Sequence, residues 1–244
     1  MRSKTSCFNG ALLRKDLCRF WPLWCAYLAV WLVAVPLNQF LTLFGTSARY
    51  NTPIQLMDAA ISDLLSMGTE MGLWMGLAFG CFFAMALFSY LCSARSVGMM
   101  HTLPIRREGL FLTNFLSGFS MALIPYAVTG ALCVLVSLCG GVFDAKGLAV
   151  TVLAVLGESF FYFSSATFVC FITGNAFAMP ALYALLHFLA VLLDWLISSF
   201  AQGFIFGFST HYTGVAEWLS PTVYLVSRVH PDGQYAEVQR TLAD

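Results

Sequence analysis

The stretch "GLWMGLAFGCFFAMALFSYLC", residues 72–92, contains 21 residues and no charged side chain. A helix of about 20 mostly apolar residues is long enough to cross the hydrocarbon core of a bilayer. Gly72, Gly76 and Gly80 recur at every fourth position, so the three lie on one face of such a helix. A stripe of small residues lets a second helix approach closely. The stretch therefore predicts a membrane span with one face suited to helix packing.

The composition of the whole chain agrees with an integral membrane protein. Of 244 residues, 59% are hydrophobic and 10% are charged, whereas about 25% charged is usual in a soluble domain. Apolar runs predict four further spans, at 21–44, 110–142, 148–172 and 176–200, of which the last two each contain one acidic residue, Glu158 and Asp194. The last two are separated by Thr173-Gly174-Asn175, a helix-stopping sequence, and by Pro180, which suits a first turn. We expect an all-α fold with about five transmembrane helices.

A short amphipathic segment precedes the first span. Apolar residues recur at helical spacing there, while basic residues occupy the other faces; the apolar set is Phe8, Leu12, Leu13, Leu17 and Phe20, and the basic set is Arg14, Lys15 and Arg19. This pattern is typical of a helix that lies along the membrane surface. The alternative is a cytoplasmic tail in which the spacing arises by chance.

Basic residues are distributed unevenly between the predicted connections. They cluster before the first span and between the second and third spans, at Arg2, Lys4, Arg14, Lys15, Arg19, Arg95, Arg106 and Arg107. The opposite side has only Arg49, Lys146, Arg228 and Arg240. Because cytoplasmic connections carry the excess of Lys and Arg, we expect a multi-pass plasma-membrane protein with a cytoplasmic N-terminus and a cytoplasmic connection at 93–109.

Signatures of catalysis and metal binding were sought in the sequence and not found. It has no H-E-x-x-H motif and no G-x-S-x-G motif. In "GGVFDAKG", residues 140–147, Lys146 follows alanine, unlike the lysine of a phosphate-binding loop. The eight cysteines lack the spacing of a zinc site or a disulfide framework. We predict no enzyme activity, no metal and no cofactor in this chain, and the zero net charge gives no reason to expect nucleic acid.

Glu158 and His187 are predicted to lie inside the membrane. Glu158 is the eleventh residue of the fourth span, near the bilayer centre, where a charged carboxylate costs a few kcal/mol at least. It is either a proton or substrate contact, or a neutral residue that fixes the packing of spans four and five; we favour the second interpretation. The glycine stripe has two interpretations as well, a contact that forms a dimer or lines a pore, and packing within the chain against span one or five.

The connection "RSVGMMHTLPIRRE", residues 95–108, mixes exposed apolar and basic residues. Met99, Met100 and Leu103 suit insertion into a groove of a partner, because methionine adapts to irregular surfaces. Arg95, Arg106 and Arg107 flank them. An ordinary cytoplasmic loop would explain the arginines but not the pair of methionines.

Three stretches together resemble the permease subunits of type-2 ATP-binding-cassette (ABC) exporters, particularly bacterial forms from Firmicutes. They are "FSYLCSARSVGMMHTLPIRREGLFLTNFLSG" at 88–118, "RKDLCRFWPLW" at 14–24 and "LGESFFYFSSATFVCFITGNAFAMPALY" at 156–183. The resemblance implies an interfacial helix, six spans, a second permease copy or homologue, and a coupling helix between spans two and three. It implies that this helix docks on a separate cytoplasmic ATPase, which binds the ATP and Mg²⁺.

The chain departs from that pattern at its end. Residues 201–244 are too interrupted by polar residues for a sixth span and look like an external or re-entrant segment, so we expect the permease domain at 1–200 and an incomplete final part. The predicted function is that of an exporter permease. The alternatives are a secondary transporter or channel that uses Glu158, and a membrane scaffold that transports nothing.

Overall fold

A computed structural model describes residues 10–45, 53–92, 98, 107–141 and 145–205. Within these ranges the chain is helical and contains no strand. The helices are α1 (Gly10–Arg19), α2 (Trp21–Leu32), α3 (Asn38–Phe44), α4 (Pro53–Phe88), α5 (Arg107–Cys139), α6 (Ala145–Thr173) and α7 (Ala178–Phe204). A π-helical turn, Val33–Leu37, joins α2 to α3, and a 3-10 turn, Ser89–Cys92, continues α4. The all-α fold predicted from the sequence is confirmed.

Four of the predicted spans are confirmed as helices that are long and apolar enough to cross a membrane. In the described residues these segments are Trp21–Phe44, Gly68–Leu91, Arg107–Cys139 and Leu148–Thr173. The predicted fifth span corresponds to α7, in which the described apolar part is the shorter segment Ala178–Leu189. Residues 206–244, predicted to form the external segment, lie outside the described part of the chain.

The helix α1 is separate from the first span, as the amphipathic pattern predicts. It covers ten residues and ends at Arg19, before α2 begins at Trp21 with a proline in its first turn. The indole Nε1 of Trp24 donates a hydrogen bond to the carbonyl of Leu17 at 3.1 Å, which fixes the corner between the two helices. On the other side α1 packs against α5. Helix α1 is therefore held by two spans.

The glycine stripe of α4 contacts α6, which forms the fourth span. A Cβ atom built on Gly72 would lie 2.6 Å from Oε2 of Glu158, and one on Gly80 would lie 3.1 Å from the backbone nitrogen of Phe163. The two helices touch more extensively than any other pair of helices that the structure describes. The sequence predicted span one or five as the partner within the chain. The structure differs because a stripe requires a close neighbour but does not say which helix supplies it.

The break between α6 and α7 occurs where the sequence predicts it. Helix α6 ends at Thr173, and Gly174 follows with a φ of +56°, a left-handed conformation that favours glycine. The side-chain oxygen of Asn175 accepts a hydrogen bond from the backbone N–H of Phe177 at 3.0 Å. The chain divides near this break into two units, Met1–Met179 and Pro180–Asp244.

Candidate functional site

A chain of three hydroxyl groups lies inside the first unit and joins three spans. The hydroxyl of Tyr27 on α2 is hydrogen-bonded to the hydroxyl of Tyr126 on α5. The Tyr126 hydroxyl also lies 2.5 Å from Oγ of Ser159 on α6. All three side chains are buried. Because a hydroxyl can donate as well as accept a hydrogen bond, the two bonds give each of the three buried groups a partner, and an unpartnered group would be costly to bury.

Aromatic rings surround this hydroxyl chain. The ring of Trp31 meets that of Tyr126 edge to face with centroids 5.0 Å apart, and the ring of Phe79 lies 4.6 Å from that of Tyr27. Phe83 also packs edge to face on Tyr27 at 5.6 Å. Edge-to-face aromatic pairs add about 0.5–1.5 kcal/mol each beyond the area they bury. The hydroxyl chain is therefore packed among aromatic rings.

Glu158 is the residue immediately before Ser159, and its side chain is buried, with 8% of its surface exposed. Its Oε2 atom faces Gly72 of α4 and has no hydrogen-bond partner among the described residues. The described Lys and Arg side chains are exposed and lie at or beyond the ends of the spans, at Arg14, Lys15, Arg19, Arg107 and Lys146. The sequence placed Glu158 near the bilayer centre, and the structure adds that it faces the glycine stripe.

A cavity of about 30 Å³ ends one helical turn before Glu158, which does not line it. Its lining comes from the first four spans and includes Trp31, Gly68, Tyr126, Thr129, Thr151 and Val155. Leu148, the first residue of the fourth span, also lines it. Since seven residues of α-helix rise about 10 Å, the lining extends from the membrane boundary at Leu148 to Val155, one turn before Glu158. The cavity thus lies toward the end of the spans opposite to residues 93–106.

His187 belongs to the second unit, where it lies on α7. The residue is buried, and its ring contacts that of Tyr183 with centroids 4.6 Å apart. The sequence grouped His187 with Glu158 as intramembrane polar residues. That grouping stays a prediction, since Glu158 belongs to the first unit.

The predicted coupling residues fall almost entirely outside the described part of the chain. Arg95, Met99, Met100, Leu103 and Arg106 are among the residues not described. Arg107 is the first residue of α5 and is exposed, with Glu108 beside it in the first turn. An acidic residue there is stabilised by the positive end of the helix dipole. The described anchors of the connection are therefore the end of α4 and the start of α5.

Three phenylalanines pack together near the end of α4 and the start of α5, and we name them the aromatic trio: Phe88, Phe111 and Phe171. Their ring centroids are 6.0 Å apart for Phe88 and Phe111, 5.5 Å for Phe88 and Phe171, and 5.4 Å for Phe111 and Phe171. They come from α4, α5 and α6 respectively. The trio therefore ties the ends of three spans together beside residues 93–106.

Asp16 is a polar residue at the same end of the spans as residues 93–106, and it was not predicted from the sequence. It lies on α1 and is half-buried, with its Oδ2 atom buried and without a hydrogen-bond partner in the described residues. Burial raises the pKa of the Asp16 carboxyl, against the smaller opposing effects of a hydrogen bond from Ser117 and the charges of Lys15 and Arg19. The feature of the sequence that could have identified Asp16 is that it is an acidic residue in a helix whose other charged residues are basic.

No family model, curated protein or solved structure matches the chain. The relation to exporter permeases consequently rests on the resemblance of the three quoted stretches, and the functional assignment below is a proposal.

The raised pKa of Asp16 leads to a prediction about stability. When the pKa of an acidic group is higher in the folded protein than in the unfolded chain, its contribution to stability is fully present below the unfolded pKa. That contribution is lost as the pH rises through the folded pKa. Asp16→Asn keeps the shape and removes the buried charge. We expect the variant to melt a few degrees higher than the wild type in detergent at pH 7, and at the same temperature below about pH 4.

The control for this prediction is Glu108→Gln, which removes an exposed carboxyl group at a helix N-terminus. That change removes a favourable interaction with the helix dipole, so the melting temperature should stay the same or fall. An Asp16→Asn variant that melts at or below the wild-type temperature at pH 7 would contradict the interpretation.

Proposed function

We propose that this chain is the membrane permease subunit of an ATP-driven ABC exporter. In this proposal a separate cytoplasmic ATPase binds ATP and Mg²⁺, and a second permease copy or homologue completes the transport pathway within the lipid bilayer. Residues 93–109 dock on the ATPase. Met99, Met100 and Leu103 fill a groove of that partner, while Arg95, Arg106 and Arg107 contact its rim.

The observation that carries the proposal is the aromatic trio beside this connection. A docking element transmits force only if it is joined to the helices that must move. Residues 93–106 continue directly from α4 and into α5, and the trio links both helices to α6 through ring centroids 5.4–6.0 Å apart. Phe88 is buried, whereas Phe111 and Phe171 are partly exposed, so the trio is a contact between three spans at the surface of the helix bundle. In this proposal a displacement of the connection is passed through that contact to α6.

The helix α1 supports the same interpretation. Its three basic side chains are exposed, whereas Asp16 faces α5 near Ser117, at the end of α5 that follows the connection. The hydrogen bond from Trp24 to Leu17 joins α1 to the first span. A movement of the connection would therefore reach the first span through α5 and α1, which gives the amphipathic helix a mechanical role.

The test is reconstitution with a candidate ATPase. The chain is co-expressed with an ATPase that carries G-x-x-x-x-G-K-[ST], first with one encoded by an adjacent reading frame, and the complex is purified in detergent. We expect stoichiometric co-purification and an ATPase rate that rises when the complex is placed in lipid. Failure to co-purify with any ATPase encoded beside it would reject the proposal.

The topology gives a separate prediction. Basic residues cluster before the first span and between the second and third spans, so Gly98 should lie on the cytoplasmic side and Lys146 on the opposite side. Single cysteines at these two positions, on a background without native cysteines, should react with a membrane-impermeant maleimide from opposite sides of intact cells and inverted vesicles. Labelling of both from the same side would contradict the arrangement of spans.

A second candidate function is favoured by one observation: the Oε2 atom of Glu158 has no hydrogen-bond partner in the part of the chain that the structure describes. Intramembrane acidic residues often form proton or cation sites, and a secondary transporter would use such a site without an ATPase. Transport by the purified chain alone, driven by a proton gradient and lost in Glu158→Gln, would favour this candidate over ATP-driven export.

A further inference from the structure

The exposed face of α1 is basic. On a helical wheel the exposed residues of α1 fall within one half of the circumference and include Arg14, Lys15 and Arg19. The opposite face, which carries three leucines and Asp16, is half-buried and packs against α5. An amphipathic helix that lies freely on a membrane buries its apolar face in lipid. In α1 that face is occupied by the protein, so the helix presents its basic face to the surroundings.

The contacts of α1 with the helix bundle leave it incompletely stabilised. A helix of ten residues is marginal in water, and none of the side chains of α1 is fully buried in the described structure. One carboxyl oxygen of Asp16 has no hydrogen-bond partner among the described residues. On the exposed face Lys15 and Arg19 are four residues apart, and like charges at this spacing repel each other. An anion bound to the basic face would therefore stabilise the helix.

The basic face lies at the depth of the lipid headgroups. The first span begins at Trp21, two residues after Arg19. Two residues of chain reach about 7 Å at most, and the headgroup layer extends about 5–7 Å beyond the hydrocarbon core on each side. Trp21 is 58% exposed, and tryptophan is enriched at this interface. A protein partner would have to displace headgroups to reach Arg19, so the anion closest to it is a phospholipid phosphate.

The charge on this side of the spans favours anionic lipids. Four of the cations that the structure describes lie at this boundary, Arg14, Lys15, Arg19 and Arg107, and Lys146 lies at the opposite one. A leaflet that contains anionic lipids has a negative surface potential, which attracts Lys and Arg, whereas the phosphate of a zwitterionic lipid is offset by its own cation. The guanidinium group of arginine also matches the geometry of a phosphate group.

We propose that the basic face of α1, formed by Arg14, Lys15 and Arg19, binds the headgroup phosphates of anionic phospholipids, and that the bound lipids hold α1 against the helix bundle. This binding requires neither ATP nor a transported substrate. It does not depend on ATP-driven export, so either proposal can fail alone.

The first experiment compares two lipids on the purified full chain in a nonionic detergent. Short-chain phosphatidylglycerol and phosphatidylcholine with the same acyl chains are titrated in parallel while the melting temperature is recorded. Phosphatidylglycerol should raise the melting temperature at a lower concentration, and the difference should shrink as salt is added. Equal responses to the two lipids overturn the proposal. Inorganic phosphate should have no effect, and stabilisation by it to the same extent overturns the assignment to lipid.

The second experiment removes the charges of the basic face. Each Lys or Arg close to an anionic surface contributes about five-fold to binding, so Arg14→Gln, Lys15→Gln and Arg19→Gln together should raise the half-saturating concentration of phosphatidylglycerol on the order of 100-fold. The matched control is Lys146→Gln at the opposite boundary, which should respond as the wild type does. A triple variant with the wild-type response overturns the proposal. If that variant loses a co-purifying ATPase instead, the basic face belongs to an acidic protein partner.

A chemical test on the wild-type protein covers the case in which the triple variant fails to fold. The protein is reconstituted with phosphatidylglycerol or phosphatidylcholine that carries a photoreactive group on the acyl chain near the glycerol, so that the headgroups are unmodified. After illumination, peptide mass spectrometry should find adducts within residues 10–21 mainly with phosphatidylglycerol. Equal labelling of these residues by the two lipids, or no labelling there by phosphatidylglycerol, overturns the proposal.

Discussion

The variant Gly80→Leu is expected to lose most of its folded protein. A Cβ atom at this position would lie 3.1 Å from the backbone nitrogen of Phe163 and 3.1 Å from the carbonyl carbon of Tyr162. Both contacts are to backbone, so relief requires α4 and α6 to separate. Overpacking of this kind costs about 3 kcal/mol, and the loss spreads along the helix pair with the most extensive contact in the described structure.

The matched control is Gly157→Leu on α6. A Cβ atom at Gly157 meets nothing within 4 Å, and the residue is exposed in the described structure. The same chemical change should therefore leave yield and melting temperature near the wild-type values. The measurement is the monodisperse fraction after solubilisation, together with thermal stability in detergent. If both variants behave alike, the close α4–α6 contact is not a determinant of the fold.

The second large effect is expected from the connection between α4 and α5. Replacing Met99, Met100 and Leu103 together by Ser should release the ATPase and leave membrane insertion unchanged. Buried apolar anchors dominate most interfaces, and loss of several such anchors removes several kcal/mol of binding. These residues lie outside the described structure, so the prediction rests on their sequence and on the described helices that flank them.

The control for the anchors is the double variant Arg106→Gln with Arg107→Gln. Exposed charge pairs contribute about 1 kcal/mol or less each, and salt screens them. This variant should retain the ATPase at physiological salt and lose part of it as the salt concentration rises, because rim charges affect association more than residence time. Membrane yield is measured alongside co-purification for each variant. A triple Ser variant that keeps its ATPase at the wild-type level would remove the coupling role from this connection.

Hydropathy predicted the spans well because burial in lipid requires long apolar helices. It did not predict that α4 begins at Pro53, well before residue 72, where the predicted span starts. Asp58, Asp63 and Glu70 occur in this first part. The part of a helix that extends beyond the apolar core of the membrane can be polar, because its backbone hydrogen bonds are satisfied within the helix whatever its side chains are. Hydropathy therefore does not detect it.

The candidate site was predicted only in part. The depth of Glu158 follows from counting residues along a span, and the close approach at Gly72 follows from the stripe. The neighbours Tyr27 and Tyr126 could not be identified, because they come from other helices and the chain contains nine tyrosines with no pattern that distinguishes them. Asp16 was missed for a similar reason: its position depends on α5, which begins some 90 residues later.

The π-helical turn at Val33–Leu37, which contains Pro36, has a consequence for the angular phase of the first span. Buried residues recur there at every fourth position, at Tyr27, Trp31, Val35, Gln39 and Leu43. In a regular α-helix each step of four residues rotates about 40° beyond a full turn, so five such residues would wind around the helix. The π-helical turn has more residues per turn than an α-helix, so it reverses part of that rotation.

The turn brings Gln39 to α5, where its amide donates a hydrogen bond to Ser137 at 2.8 Å. A cysteine accessibility scan along 21–44 should therefore show two α-helical periodicities separated by a phase slip at the turn, and a helical wheel drawn through the whole segment would place its second half on the wrong face.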